Sequence, residues 1–319
     1  MYMKKCPILY IVVPCYNEEE VLPETTRRLT EKLGHMTEEK IISESSRIVY
    51  VDDGSKDGTW HLIEEYYKEN PYVVGIKSSR NRGHQNTLLE GMFTVVDDCD
   101  VIVTMDADLQ DDIEVLDEFI HEYLHGNDIV YGVRKNRKKD SWFKRSTAHA
   151  FYHMMHLLGA EVVYDHADYR LMSQRAVHAL MEYGEVNLFL RGIVPMIGYP
   201  CTTVEYERNE RFAGSSKYPL KKMISFATDG ITSLSVKPVR MILALGVMIF
   251  LISILVMIYF IIGHLRGMTI PGWASTVVSI WGIGGLQLLA IGVIGEYIGK
   301  IYMETKRRPR FIVEEYLKK

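Results

Sequence analysis

The sequence predicts an α/β domain on a mostly parallel sheet, with a membrane-associated segment behind it. Two observations carry this. In the N-terminal part, short β-branched runs alternate with longer, polar, periodic stretches, the pattern of strands joined by helices that cover both faces of one sheet. Further on, the 23-residue stretches 241–263 and 273–295 contain no charged side chain. As helices each would reach about 34 Å, enough to cross a hydrocarbon core of about 30 Å.

The elements follow in order. The apolar run 8–13 stops at Pro14 and is too short for a secretory h-region, so it reads as the first strand. Further strands are expected at 47–51, 73–77, 101–105 and 129–133, and helices at 18–33, 59–69, 83–96 and 113–124. Asp57 reads as the cap of the helix that opens near Thr59, and Asp57-Gly58 as a turn.

The 319 residues carry 37 basic and 41 acidic side chains, a net charge of −4, with 47% apolar and 24% charged residues. That balance excludes disorder, collagen and coiled coil, and gives no reason to expect a nucleic-acid partner. Cys6, Cys15, Cys99 and Cys201 form no CxxC pair, which argues against a disulfide framework or a zinc site and suits a reducing compartment.

The flanks of the uncharged stretches set an orientation. Lys237 and Arg240 precede the first, and Lys300, Lys306, Arg307, Arg308 and Arg310 follow the second, whereas the short loop between them holds only Arg266. Positive charge stays on the cytoplasmic side, so both termini are expected there. Glycines 282, 284, 285 and 292 mark a face on which two such helices could meet. Residues 218–239 mix Lys221 and Lys222 with Met223, Ile224, Phe226, Ile231 and Leu234, fitting an amphipathic helix in the membrane interface. The expected divisions are 1–217, a cytoplasmic domain; 218–239, an interface helix; 240–299, a two-helix hairpin; and 300–319, a cytoplasmic tail. Within that tail, 308–313 reads as a short strand that pairs with a neighbouring protomer or returns to its own domain.

In parallel sheets ligands sit at the carboxyl ends of the strands. Three loops at that edge are acidic or tightly turned: Pro14-Cys15-Tyr16-Asn17-Glu18, Asp52-Asp53-Gly54-Ser55, and Asp106-Ala107-Asp108-Leu109-Gln110-Asp111-Asp112. Asp106 and Asp108 directly follow an apolar strand and are expected on one side of an extended segment. Two close carboxylates repel unless a cation intervenes, and oxygen ligands suit Mg²⁺ or Mn²⁺. Magnesium completes its shell with water and substrate phosphates, so a metal–diphosphate site accounts for the pair.

Together with Gly132-Val133-Arg134, Asp168-Tyr169-Arg170-Leu171-Met172 and Arg211-Phe212-Ala213-Gly214-Ser215-Ser216-Lys217, these loops make six motifs in order, with an uncharged hairpin behind them. The set resembles the inverting family 2 glycosyltransferases, and within them the polyprenyl-phosphate group, over nearly the whole chain. The resemblance implies a nucleotide-sugar-binding, Rossmann-like domain of GT-A type that transfers one sugar, from UDP-glucose or UDP-N-acetylglucosamine, to undecaprenyl phosphate or a related lipid. It implies that Pro14, Tyr16, Glu18, Val51 and Asp53 hold the nucleoside, and that Asp106 and Asp108, around Ala107, hold a metal with Gln110 as a further ligand. Arg134, Arg211 and Lys217 match phosphate contacts, the last two on a loop that closes over the donor. Arg145 matches a position for the lipid phosphate, though headgroup attraction explains it equally well. Asp168 stands where some members place a base; orienting Arg170 or contacting a sugar hydroxyl is the alternative. The resemblance also implies an oligomer.

His149, His153 and His156 share one helix face and read as a polar face near headgroups. His84, after Arg80-Asn81-Arg82-Gly83, stands where it could approach a donor. Two competing functions remain: a processive polysaccharide synthase, against which the absence of a Gln-x-x-Arg-Trp motif and the small number of spans count, and a non-catalytic scaffold that binds a nucleotide sugar. Intact Asp106, Asp108 and the 211–217 loop count against the scaffold.

Overall fold

The computed structural model describes residues 6–135, 166–185, 190–207 and 272–319, with scattered positions between 239 and 262. In chain order the elements are β1 (Leu9–Cys15), α1 (Leu22–Glu38), β2 (Arg47–Asp52), α2 (Thr59–Glu69), β3 (Val73–Ser78), α3 (His84–Val95), β4 (Val101–Thr104), α4 (Leu116–Leu124), β5 (Ile129–Arg134), β6 (His166–Ser173), α5 (Gln174–Met181), α6 (Leu190–Met196), β7 (Cys201–Tyr206), α7 (Trp273–Lys306) and β8 (Val313–Leu317).

The strands form one eight-stranded sheet in the order β7-β5-β6-β4-β1-β2-β3-β8. β1 to β5 and β7 run one way, and β6 and β8 run against them. The expected parallel core is therefore present, within a mixed, Rossmann-type sheet. Side chains of β1 alternate between its faces: Leu9, Ile11 and Val13 join the core under α1 and α4, while Tyr10 and Val12 join the core under α3, α5 and α6. This period of two is what buries both faces of a central strand.

α1 begins at Leu22, not at 18. Pro23 sits at its start, where a missing N–H costs nothing, and Glu18 carbonyl accepts from Val21 and Leu22 N–H to form a turn ahead of it. The C-terminal segment differs from a simple tail. Residues 300–306 continue α7, and β8 rather than 308–313 is the strand; it adds to the domain's own sheet, antiparallel to β3. Arg310 donates to the Tyr183 carbonyl, Phe311 meets Phe93 edge-on at 6.2 Å, and the Lys318 ammonium lies 2.7 Å from Asp98. The sheet thus combines N-terminal strands with one from the C-terminal segment.

Among the described residues, Gly282–Lys306 within α7 is the one helix long and apolar enough to cross a membrane, and none of it is buried. The described positions between 241 and 262 are helical, with Met241, Val247, Leu251 and Leu255 exposed. Arg145, the histidines 149, 153 and 156, Arg211, Lys217 and the interface segment 218–238 lie outside the described residues.

Helix α3 lies unusually close to the sheet. A Cβ at Gly91 would stand 2.5 Å from Val12 Cγ1 and 2.8 Å from Val51 Cγ2, so the glycine permits the approach. In an open helix Gly→Ala gains about 1 kcal/mol, but overpacking a core costs about 1–3 kcal/mol. Gly91→Ala is expected to lower the stability of the full chain by up to about 2 kcal/mol in denaturant unfolding; a midpoint raised as in an open helix contradicts the close packing.

Candidate active site

The loops after β1 and β2 are stitched together at the carboxyl edge. Asp53 N–H donates to the Cys15 carbonyl (2.8 Å), Asn17 N–H to Ser55 Oγ (3.0 Å), Lys56 N–H to Asn17 Oδ1 (2.8 Å) and Glu18 N–H to Thr59 Oγ1 (2.9 Å). Asn17 takes a left-handed backbone, φ 55°, a region Asn tolerates. Asp57 does not cap α2 as expected: the N-cap is Gly58, which offers no side chain, and Asp57, one residue earlier, accepts from Thr59 N–H at 3.1 Å. Tyr16 is 43% exposed, and Pro14 and Glu18 are half-buried. Val51 differs from the expectation: its side chain is wholly buried in the core facing α3, leaving only backbone to offer a ligand. Asp53 is buried too, and its carboxylate accepts from the backbone N–H of Arg82 (2.6 Å) and Gly83 (2.9 Å). It thereby holds the loop that opens α3.

The acidic loop after β4 is turned, not extended. Leu109 adopts φ 56° and Asp108 Oδ1 accepts from Gln110 N–H at 3.2 Å, a local turn that the short aspartate side chain favours. Thr25 Oγ1 donates to the Ala107 carbonyl at 2.7 Å and fixes the turn to α1. Beside it, β6 enters the same edge from the opposite direction, with Thr104 Oγ1 donating to the Asp168 carbonyl at 2.6 Å. His84, the first residue of α3, completes the group. Its Nε2 lies 3.6 Å from Asp106 Oδ1 and 3.8 Å from Asp168 Oδ2.

The carboxylates are treated unequally. Arg170 Nη2 donates to Asp168 Oδ1 at 2.8 Å, and Arg191 contributes Nε at 3.3 Å and Nη2 at 3.1 Å. Burial opposes ionisation of Asp168, but His84 and the two guanidiniums overcome it and hold its pKa well below the carboxylate range. Asp106 goes the other way. Burial in the cleft pushes its pKa up, His84 and Arg134 pull it down, and the charges of Asp168 and Asp108 add to the rise. Burial works against the His84 imidazolium, yet Asp168 and Asp106 outweigh it and raise its pKa.

A second chain of contacts runs beneath. Arg134 Nε donates to Tyr206 Oη at 3.3 Å, and Tyr206 Oη donates to Asp111 Oδ1 at 2.5 Å. The sequence gives Asp111 no role beyond its place in the acidic loop and offers no sign of Arg191 or Tyr206. His84 could have been placed more firmly, because it follows β3 at the same edge as the other loops. Arg191 and Tyr206 arrive from distant elements and leave no local signal.

The residues present fit a divalent cation of the Mg²⁺ or Mn²⁺ kind. Asp106, its side chain 47% exposed, has the like charges of Asp168 and Asp108 beside it as well as His84 at 3.6 Å, and carboxylate oxygens are suitable donors for such an ion. Among the described residues no three His, Cys, Asp or Glu side chains converge on a complete metal cage.

Residues 10–181 match the family described as glycosyl transferase family 2. A protein of Bacillus subtilis (strain 168) named uncharacterized glycosyltransferase YkoT is 53% identical over 308 residues, which are 97% of this chain and 91% of the relative. The chain belongs to glycosyl transferase family 2. The bactoprenol glucosyl transferase of Shigella phage SfX is 37% identical to this glycosyltransferase over 309 residues, 95% of this chain and 98% of the phage protein. Uncharacterized glycosyltransferase YkcC of the same Bacillus strain is 40% identical over 309 residues, 96% of this chain and 93% of that protein. The mixed α/β sheet with its acidic carboxyl edge is therefore the GT-A-like catalytic domain of a family 2 enzyme.

The buried Asp111 of this glycosyltransferase gives a pH signature. Burial first, and then the charge of Asp106, push its pKa up to about 6 from the ordinary 3.8. Between these values the folded chain keeps a proton that the unfolded chain has released, so the group's contribution to stability is present below pH 4 and declines as pH rises through 6. Asn cannot titrate. The stability difference between Asp111→Asn and the parent, measured by denaturant unfolding, is expected to shift in favour of the variant by about 3 kcal/mol between pH 4 and 7. A difference that stays flat with pH contradicts the burial.

Proposed function

We propose that this glycosyltransferase moves one sugar from UDP-glucose or UDP-N-acetylglucosamine to undecaprenyl phosphate or a related polyprenyl phosphate, with inversion at the anomeric carbon. The unequal charge compensation at the sheet edge carries the reading. Asp168 is paired with two guanidiniums, whereas Asp106 has His84 at 3.6 Å together with the like charges of Asp168 and Asp108, and invites a cation with its diphosphate. Similarity to the phage bactoprenol glucosyl transferase over 95% of this chain supports the lipid acceptor.

An oxygen of the acceptor phosphate attacks the anomeric carbon in line. The bond from that carbon to the donor's diphosphate oxygen breaks, and the nucleoside diphosphate leaves with the electron pair. A phosphate monoester is largely dianionic at neutral pH, with a second pKa of about 6, so no side chain need remove a proton. Asp168, low in pKa and doubly paired, is assigned to orient Arg170, Arg191 and His84, not to act as a base. Pro14, Tyr16, Glu18 and the backbone at Val51 frame the nucleoside, and Asp53 supports them through the 82–83 loop. Arg134, with Arg211 and Lys217 from their own loop, takes up the diphosphate charge, and Arg134 and Arg145 meet the lipid phosphate. A Mg²⁺ or Mn²⁺ ion held by Asp106 and Asp108, with Gln110 beside them, would neutralise charge developing on the leaving group.

The lipid acceptor calls for a membrane site. In this reading 241–263 and α7 form a two-span hairpin, residues 218–239 lie in the interface, and the catalytic domain and both termini face the cytoplasm of a homo-oligomeric enzyme. The apolar, unburied surface of α7 supports the span.

Purified enzyme incubated with Mg²⁺, undecaprenyl phosphate and a panel of labelled nucleotide sugars is expected to yield one sugar per lipid by mass spectrometry; no glycolipid from any donor overturns the reading. Asp108→Ala should lose at least about 3 kcal/mol of transition-state stabilisation, over a hundredfold in rate. An active variant removes Asp108 from the metal site.

A further inference from the structure

Strand β7 lies beyond the 10–181 segment that matches the family. It runs parallel to β5 at the sheet edge and sets Tyr206 opposite Arg134. Edge strands usually leave half their side chains to solvent, and Cys201, Thr203 and Glu205 do face it less buried, while Val204 and Tyr206 are 1% and 2% exposed. The Tyr206 ring packs edge-on against Tyr169, centroids 5.3 Å apart at 88°. Gly132 makes room for both: a Cβ there would stand 2.9 Å from the Tyr169 ring and 3.1 Å from that of Tyr206.

The two hydroxyls reach the same loop. Tyr169 Oη donates to the Asp112 carbonyl at 2.9 Å, and Tyr206 Oη donates to Asp111 Oδ1 at 2.5 Å while accepting from Arg134 Nε at 3.3 Å. The hydroxyl proton is committed to the carboxylate, so its lone pair is what the guanidinium meets. Arginine has many rotamers, worth about 2 kcal/mol of entropy, and a guanidinium fixed through Nε presents its terminal amines as a fork suited to phosphate oxygens.

We infer that Tyr206 is a positioning residue: its hydroxyl locks the Arg134 guanidinium to the far end of the acidic loop, so that the arginine fork and the Asp106–Asp108 turn meet the donor's diphosphate as one pre-set unit. This rests on the reading of Arg134 as a diphosphate contact. The ordering is done in the folded enzyme before ligand arrives, which is how pre-organisation raises affinity.

Tyr206→Phe keeps the ring and deletes the oxygen. UDP, GDP and TDP are titrated with Mg²⁺ by calorimetry into the full-length enzyme, and the tightest is carried forward. Tyr206→Phe should weaken that nucleotide about tenfold and slow glycolipid formation by a similar factor. Arg134→Lys has no Nε–H fork to fix, so Tyr206→Phe placed on that background should cost little more. Thermal midpoints of the four proteins show whether each is folded. Unchanged affinity in folded Tyr206→Phe, or the same tenfold loss on the Arg134→Lys background, overturns the positioning role. Binding of none of the nucleotides by the parent enzyme overturns the diphosphate reading and this inference with it. Nucleotide binding without glycolipid overturns the lipid acceptor alone, and the binding cycle still decides Tyr206.

Discussion

The constraint on which this structure turns is the repulsion between carboxylates gathered at one edge of one sheet. Two unit charges about 4 Å apart interact by about 4 kcal/mol where the effective dielectric is near 20, a large fraction of a domain's net stability. The fold answers at Asp168 with internal partners, Arg170 from the same strand and Arg191 from α6. It leaves Asp106 with His84 at 3.6 Å and carboxylates around it. A fold that wanted only stability would have neutralised both. The asymmetry fits the cation site proposed above, and it is held in place by elements that also share one hydrophobic core: Leu88 and Leu89 of α3, Met172 of β6 and Leu190 and Ile193 of α6.

Those elements converge because β6 is inserted antiparallel between β4 and β5. A parallel strand there would have delivered its carboxyl end to the edge; the reversed strand delivers its beginning, and with it Asp168. Helix α3 brings His84 from the other side, and Gly91 sets how near it can come. Arg170 is the cost of this arrangement, a guanidinium 2% exposed inside a sheet, its Nη1 without a hydrogen-bond partner among the described residues. Burying such a group is tolerable only beside an opposite charge, so Asp168 and Arg170 each require the other. Strand and site are one solution.

The parallel half of the sheet was legible because its strands are apolar and β-branched, and because Pro14, Asp-Gly and the paired aspartates punctuate their carboxyl ends. β6 was not legible as a strand. Its sequence, HADYRLMS, places Asp168 and Arg170 where a buried strand should be apolar, and only tertiary pairing makes that acceptable. β7 was missed, and the C-terminal strand expected at 308–313 falls instead at β8, for a different reason: CTTVEY and VEEYL are short edge strands, half polar, whose pattern matches a loop as well as a strand. The aspartates that the sequence marked out do lie at one edge, yet the 106–109 segment turns where an extended run was expected, since periodicity says nothing about a left-handed residue such as Leu109. What sequence could not supply is Arg191 and Tyr206, whose partners are tens of residues away.

The pairing of β8 with β3 constrains how the catalytic edge can move relative to α7. Helix α7 has 34 residues, about 51 Å of helix, against a hydrocarbon core of about 30 Å. If α7 crosses a bilayer as proposed, roughly 20 Å of it stands beyond the core, and only residues 307–312 separate its end from β8. That connection is pinned by Arg310 to the Tyr183 carbonyl, by Phe311 against Phe93 and by Ser79 N–H to the Ile312 carbonyl at 3.0 Å. Ser79 begins the loop whose far end, Arg82 and Gly83, is gripped by Asp53 and leads into His84. A lipid phosphate is confined to the membrane surface, so a transferase that uses one needs its donor site at a set height above that surface. A short, pinned link from α7 into the sheet, ending next to the loop that opens α3, would meet that requirement in the proposed arrangement, where a flexible tether would leave the height undefined.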